Sequence, residues 1–554
     1  MSITREADWW RSAVIYQVYP KSFADSDGDG IGDIAGIRSR LPHLARLGVD
    51  AVWVSPWYRS PQADGGYDVT DHRLIDPAFG TLDDVDALLT EAHDLGIKVI
   101  VDIVPNHTSD QHRFFQEALA SPPGSAAWQR YHCRPGADGG ASPPNDWLCE
   151  FGGPAWDPIT DAGGRPTGWW YLHLFDSSQP DLNWDHPDVQ QEFAEILRFW
   201  FDRGVDGFRI DVAHGLVKAP GLPDYARYRV PPTASPHWDQ PGVHEIWRDW
   251  RRLANQYTPP RAFIGEVWVA TPQALAAYLR REELHAAFNF HYLKAPWLAQ
   301  DVRSVIDRSL REAGLVGAPT TWVLENHDVP RVRTRYAQEL AGATRAGGSL
   351  TGQPPSGNDD ARGLARARAG MVFMLGLPGS AYIYQGQELA LPEVLDLPAE
   401  VRADPAFRRT QGTDGFRDGC RVPIPWTVEG TSFGFSPTGA SWLPQPAGWG
   451  QVSVAAQSGD PGSTLELTRR AIRLRRAEQA LGDGDLSWMS RPQDTCLALR
   501  RPADGSDPHV IVALNMGDEP ALVAACEVLL SSGSDPEPAD GGFWLAPDTA
   551  AWFR

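Results

Sequence analysis

Cysteine is scarce in this chain of 554 residues. The five present, Cys133, Cys149, Cys420, Cys496 and Cys526, are odd in number and widely spaced, which argues against a disulfide framework and against a zinc site. Long apolar runs are missing as well. No uninterrupted stretch approaches ~20 residues, so no transmembrane helix is expected. The opening residues Met-Ser-Ile-Thr-Arg-Glu-Ala-Asp-Trp-Trp lack the apolar segment of a signal peptide, and the default expectation is a cytoplasmic protein. Basic residues are outnumbered: 50 Lys and Arg against 71 Asp and Glu give a formal net charge of −21. That balance argues against nucleic acid and anionic membrane as partners and suits a neutral small molecule. What the chain has in quantity is tryptophan, 23 residues, which can fill a large core or stack against the apolar faces of flat polar ligands.

The length calls for one large domain with smaller ones attached. Val14 to Tyr19 reads as a first strand. A helix follows with Ile37, Leu41, Leu44 and Leu47 on one face, closed by Gly48 where a left-handed cap is wanted. Ala51–Val54 is the next strand, residues 83–95 the next helix, ended by Gly96, and Val99–Val104 a nearly unbroken β-branched run of the kind buried on both faces. This repeat, at intervals of ~45 residues, is the rhythm of βα units. It breaks at 108–175, rich in Pro, Gly, Trp and Asp, with Cys133 to Asn145 read as loop. A helix over 188–203 restores it. Later strands are expected at 205–210, 263–266, 287–290, 321–324 and 381–384. Eight strands predict an α/β fold, a (β/α)8 TIM barrel, with its chemistry at the C-terminal strand ends. The expected division is a barrel over 1–105 and 176–474, an inserted subdomain over 106–175 after the third strand, and a C-terminal antiparallel β domain over 475–554. The Gly/Ser-rich stretch 340–362 reads as a lid or a disordered insert.

Two stretches carry chemistry. In Asp25-Ser-Asp27-Gly-Asp29-Gly-Ile31-Gly-Asp33, acidic residues alternate and Gly stands sixth, as at the start of a calcium loop. Gly36 occupies the twelfth position, where a bidentate Glu is expected, so this is not a full EF-hand. The candidate ligands are Asp25, Asp27, Asp29, the carbonyl of Ile31, and Asp33. Several protein oxygens in a flexible loop favour Ca²⁺, with Mg²⁺ as the alternative. The second stretch is Val205-Asp-Gly-Phe-Arg209-Ile-Asp211-Val212. Arg209 and Asp211, two residues apart on a strand, share one face. Taken alone the pair fits two readings, a structural ion pair or a carboxylate nucleophile kept ionised by its neighbour. The neighbouring strand ends add Asp102 and His107, Glu266, and His327 and Asp328, all converging on one barrel mouth.

Asp102-Ile-Val-Pro-Asn106-His107, Gly207-Phe-Arg209-Ile-Asp211, Glu266-Val-Trp and Glu325-Asn-His327-Asp328 resemble the four signature regions of the α-amylase family of glycoside hydrolases. Three further stretches are similar to that family: Gln179-Pro-Asp-Leu-Asn183-Trp, Ser60-Pro-Gln-Ala-Asp64-Gly-Gly-Tyr67-Asp and Tyr384-Gln-Gly-Gln-Glu388. Arg417-Asp-Gly-Cys-Arg421-Val-Pro-Ile-Pro-Trp426 resembles the Arg-containing loop of the oligosaccharide α-glucosidases. The resemblance implies a retaining mechanism with two carboxyl groups. In it Asp211 is the nucleophile, Glu266 the general acid and base, and Asp328 the stabiliser of the sugar. Tyr67, His107 and His327 contact the sugar, Arg209 orients Asp211, and Asp102 holds Arg209. Asp64 and Arg421 clamp the far hydroxyl of the terminal sugar and enforce exo-action. The metal loop implied by the same branch is structural. The expected substrates are small α-glucosides, with α-1,4 favoured over α-1,6 on Val212-Ala-His214-Gly, and the expected assembly is a monomer or small homo-oligomer. The alternatives are an oligo-1,6-glucosidase, which Val212 itself resembles, or a glucosyl transferase of the sucrose isomerase or trehalose synthase type. A non-catalytic binding homologue is disfavoured by the presence of all three carboxylates. Strict strand alternation points Val212 away from the pocket.

Overall fold

The computed structural model describes residues 8–161, 163–225, 235–337, 359–502 and 506–554. The β-branched and aromatic runs form eight parallel strands: β1 (Val14–Val18), β2 (Ala51–Val54), β3 (Lys98–Ile103), β4 (Gly207–Ile210), β5 (Ala262–Gly265), β6 (Ala286–Ala287), β7 (Thr321–Val323) and β8 (Ser380–Tyr384). Each strand pairs with its sequence neighbour and β1 pairs with β8, so the order is 6-5-4-3-2-1-8-7. The result is a (β/α)8 barrel, hydrogen-bonded all round except between β6 and β7.

The helices close the outside. α1 (Ile34–Leu47) starts at Asp33, whose carboxylate accepts the Gly36 N–H at 2.6 Å, and ends at Gly48 with φ 94°. α2 (Leu82–Asp94) opens with a reciprocal Thr81–Asp84 capping box. α3 (Pro187–Arg203) ends at Gly204, φ 107°, and delivers the chain into β4. α4 (Val243–Ala254), α5 (Pro272–Tyr278), α6 (Ala299–Leu315) and α7 (Asp360–Gly376) follow.

Strand alternation sorts the core into two layers. Tyr16, Val52, Val99 and Phe208 face the helices in the main cluster, whereas Ile15, Trp53, Ile100, Ile264, Val323 and Tyr382 fill the barrel interior. On β3 and β4 the interior rows continue upward as Asp102 and Arg209, which are register partners. The apolar plug thus gives way to a charged layer at the C-terminal rim.

The segment after β3 carries a three-stranded antiparallel sheet in which Pro166–Leu172 lies between Cys133–Pro135 and Trp156–Thr160. Cys133 to Asn145 is therefore not all loop, because Cys133 and Arg134 find ladder partners in Tyr171 and Trp170. The expected sixth strand at 287–290 is shorter and earlier. Asn289 accepts the Tyr292 N–H and turns Phe290–Leu293 into a helical turn. Residues 340–358 of the Gly/Ser-rich stretch lie outside the described residues. Its last part is helix, since Asp359 caps the start of α7.

Beyond the barrel, α8 (Thr464–Ala477) runs through the expected 474/475 boundary and packs on α7. The C-terminal strands form a five-stranded and a three-stranded antiparallel sheet. This module finishes α7. Arg501 Nη1 donates to the Gly376 carbonyl at 3.0 Å, Arg475 Nη1 to the Leu377 carbonyl at 3.1 Å, and the Trp552 indole to the Val372 carbonyl at 3.1 Å.

Gly207 of β4 packs directly against β5, since an added Cβ would lie 2.6 Å from the Ala262 carbonyl oxygen. Gly207→Ala is expected to destabilise the protein by about 1–3 kcal/mol through overpacking. Thermal or urea unfolding measures it, and an unchanged midpoint would show that the two strands can part at no cost.

Candidate active site

At the barrel rim one cation serves three acids. Arg209, 2% exposed, donates from Nη1 to Asp102 Oδ1 at 3.0 Å and to Asp211 Oδ1 at 2.7 Å, and from Nη2 to Glu266 Oε2. Its guanidinium lies 5.1 Å from the Trp53 ring centroid and 5.8 Å from that of Tyr67. Asp102 is locked from below by the Trp53 indole (3.1 Å) and the Tyr67 hydroxyl (3.1 Å). Burial pushes its carboxyl up to about 7, with Arg209 opposing.

Asp211 and Glu266 behave as a pair. Burial raises Asp211, and the anionic Glu266 and Asp102 add to that rise against the pull of Arg209. Glu266 is equally buried but held below the usual range by Arg209, by the Trp268 indole N–H at 2.7 Å and by its contact with Asp211. The two carboxyls share the one guanidinium, so the protonation of each depends on that of the other.

Asp328 is different. Burial works against its ionisation, but His327, Arg417, Arg421 and Arg209 together hold it far below the usual carboxylate range. Oδ1 accepts from Arg421 Nη2 at 2.8 Å and Arg417 Nη1 at 3.2 Å. His327 is kept neutral by burial, its pKa lowered to about 3. It bonds Gln17 through Nδ1 and the Tyr67 hydroxyl through Nε2, each at 2.7 Å, and stacks on the Tyr67 ring.

These groups open into a cavity of about 620 Å³. Of the residues expected there, Asp64, Tyr67, His107, Asp211, Glu266 and Asp328 line it. Arg209, His327 and Arg421 stand behind the wall and act on the lining carboxylates. The Asp64 clamp has a different partner from the one expected. Asp64 Oδ1 accepts from Arg417 Nη2 at 3.0 Å, and Arg417, not Arg421, lines the cavity. Four residues separate the two arginines, and both belong to one motif, so sequence alone does not choose between them. Gln179 Nε2 ties Asp64 (3.3 Å) to His107 (3.1 Å). The sequence reading also missed Glu150, Phe151, Phe175, Trp238 and Lys294 in the lining. They sit in irregular segments with no periodicity to place them. Trp268 was visible inside the Glu266 motif, and the geometry makes it the indole donor to that acid.

Val212 corrects the alternation argument. β4 ends at Ile210, and Val212 adopts a left-handed backbone, φ 45°, so it lines the cavity. A β-branched residue there is strained by roughly 1–2 kcal/mol. The turn directs the Val212 N–H toward Glu266 Oε2, at 3.2 Å.

In the acidic loop, Asp25, Asp27 and Asp29 each bring a carboxylate oxygen within 4.8 Å of the others. Burial raises the Asp29 pKa, and the neighbouring acids raise it further. Asp33 points its oxygens at the start of α1 and at Ser26, and the Ile31 N–H donates to Asp29 at 2.7 Å. This all-oxygen donor set suits a hard cation. The loop meets the 435–442 segment, with the Asp25 N–H on the Phe435 carbonyl at 2.8 Å and the Trp442 N–H on the Gly30 carbonyl at 3.0 Å.

Residues 17–484 match the α-amylase catalytic domain. The chain is 36% identical to a probable alpha-glucosidase of Rhizobium meliloti, covering 93% of this chain and 91% of that one. It is 34% identical to an oligo-1,6-glucosidase of Parageobacillus thermoglucosidasius, covering 85% and 84%. Among solved structures, an alpha-glucosyl transfer enzyme superposes with a TM-score of 0.84 at 34% identity over 99% of both chains.

Arg209→Met leaves three buried carboxylates without their shared cation and is expected to cost about 3–5 kcal/mol. The loss depends on pH. A carboxyl whose folded pKa is raised gives stability that is present below its unfolded value, near 4, and lost as pH rises through the folded value, which for Asp102 is about 7. Without Arg209 these pKa values rise further, so the urea midpoint should drop more at pH 8 than at pH 5. An equal drop at both pH values would refute the shared-cation account.

Proposed function

The chain belongs to the α-amylase family of glycoside hydrolases, and from that premise we propose that it is a retaining, exo-acting α-glucosidase of short α-glucosides, with α-1,4 linkages preferred. The observation that carries the reading is the meeting of Asp211, Glu266 and Asp328 in one cavity walled by the Asp64–Arg417 ion pair. That pair supplies the carboxylate and guanidinium suited to hold the outer hydroxyls of a terminal sugar, which favours cutting from the chain end.

In this mechanism the Asp211 carboxylate attacks the anomeric carbon while the bond to the leaving oxygen breaks. Glu266 gives that oxygen its proton. A covalent β-glucosyl–Asp211 ester forms, and Glu266, now a carboxylate, takes a proton from the water that cleaves it. The first step needs Asp211 ionised and Glu266 protonated, and Arg209, bonded to both carboxyls, stabilises the negative charge on whichever of the two carries it. Asp328, ionised by its cations, faces the developing positive charge on the sugar ring. Transfer to a sugar acceptor in place of water is the second reading, favoured by the aromatic side chains Phe175, Trp238 and Trp268 in the lining.

The acidic loop is read as a structural Ca²⁺ or Mg²⁺ site. Asp25, Asp27 and Asp29 would hold the ion, which would tie the β1–α1 connection to residues 435–442. The cytoplasmic assignment rests on five free cysteines. No helix of the described residues is long and apolar enough to cross a membrane.

Asp211→Ala should lower maltose turnover by at least ~10⁴-fold. With α-glucosyl fluoride and azide the variant should release β-glucosyl azide. Appreciable residual hydrolysis, or an α-azide product, would remove Asp211 from the nucleophile role. Product analysis on maltose, isomaltose, sucrose and trehalose tests linkage and transfer, and internal cutting of starch as fast as maltose is cleaved would overturn exo-action. Dialysis against a chelator should lower the Tm, with recovery on adding Ca²⁺; an unchanged Tm would sink the metal assignment.

A further inference from the structure

Side chains on the strand Pro166–Leu172 alternate between two environments. Trp170 joins Phe151, Phe175 and Trp238 in the cluster that backs the catalytic cavity. Trp169 faces the other way. It meets Trp128 edge-on, with ring centroids 5.4 Å apart, and lines a second cavity of about 500 Å³ that shares no lining residue with the first.

The chemistry of this second cavity is specific. The Trp128 indole is committed to the Ser121 carbonyl at 3.0 Å, whereas the Trp169 indole N–H makes no hydrogen bond among the described residues. The rim offers the exposed Asp185 carboxylate, the guanidinium of Arg134 and the side-chain oxygen of exposed Gln129, whose Nε2 donates to the Gly124 carbonyl at 3.2 Å. Asn183 is held in place by its bond to the Gln129 carbonyl at 2.8 Å. His132 lies in the wall nine-tenths buried, its ring without a hydrogen-bond partner among the described residues. Core packing alone would bury the Trp169 face and leave no polar groups around it. An aromatic face ringed by short hydrogen-bonding side chains, with opposite charges on Asp185 and Arg134, matches a neutral polyhydroxyl ligand that is apolar on one face and polar at its edge.

We propose that this cavity is a second saccharide-binding site on the inserted segment, which takes α-linked glucose units without cleaving them. The choice of glucan rests on the α-glucosidase reading; the site's preference for a sugar rests on its own lining.

The probe is β-cyclodextrin, a ring of α-1,4-linked glucose with no chain end for an exo-acting cavity. Isothermal titration is run on the whole protein with the catalytic cavity filled by 1-deoxynojirimycin. The expected result is one saturable site in the millimolar range or tighter. Trp169→Ala should weaken it roughly tenfold or more, and Trp169→Phe should keep part of the affinity. Both variants should retain wild-type maltose hydrolysis and Tm, which shows that they fold. Absence of saturable binding in the wild type, or unchanged binding in Trp169→Ala, overturns the proposal. Cyclodextrin binding at Trp169 in a protein inactive on maltose would overturn the glucosidase reading and leave the sugar site standing.

Discussion

The Arg209 guanidinium is the interaction on which the rest of the site depends. Three carboxyl groups from three strands would repel one another in a medium of low dielectric constant, and none would stay ionised without a cation among them. Arg209 reaches all three because its fork is planar and carries several donors in fixed directions; a lysine in its place would be a single point charge. The strands set the spacing. Arg209 lies beside Asp102 in the β3–β4 register and beside Ile264 in the β4–β5 register, two residues below the level of Glu266.

The number of cations around each acid divides the labour. Asp328 has two arginines in direct contact and is an anion throughout the working pH range. Asp211 and Glu266 share one arginine, and the ionisation of each bears on the other. A site that must first donate a proton and later take one back needs such a pair, beside a neighbour whose charge never changes. The Val212 turn contributes to the same end, since a strained backbone places a second donor, its N–H, on the Glu266 oxygen that Arg209 also reaches.

The sequence disclosed the barrel and its charged rim because both obey simple rules. Apolar β-branched runs separated by glycine-capped helices are legible by period; Asp102, Arg209, Asp211 and Glu266 stand at or next to strand ends, and Asp328 follows its strand by five residues. What was not legible follows other rules. The sixth strand shrank because one side chain, Asn289, offered the backbone a better partner than the sheet. Val212 faces the cavity because alternation holds only while the strand lasts, and the strand ends two residues earlier. Arg417 and Arg421 are the same residue type four positions apart, and only their three-dimensional partners tell them apart. Phe151, Phe175 and Trp238 reach the cavity from loops, where spacing carries no information about direction.

The bonds from Arg475, Arg501 and Trp552 to the last turns of α7 bear on how the chain can be rearranged. From Ala369 to Gly376 α7 is buried on every side and carries no charged residue, and its final carbonyls find donors outside the barrel. The C-terminal sheets therefore do not ride on a finished enzyme like a detachable tag. They complete the helix that leads into β8. A chain cut after the barrel would expose a sticky helix with unpaired carbonyls, and a graft from another protein could replace the sheets only if it brought an arginine and an indole to the places of Arg501 and Trp552, Arg475 staying on α8.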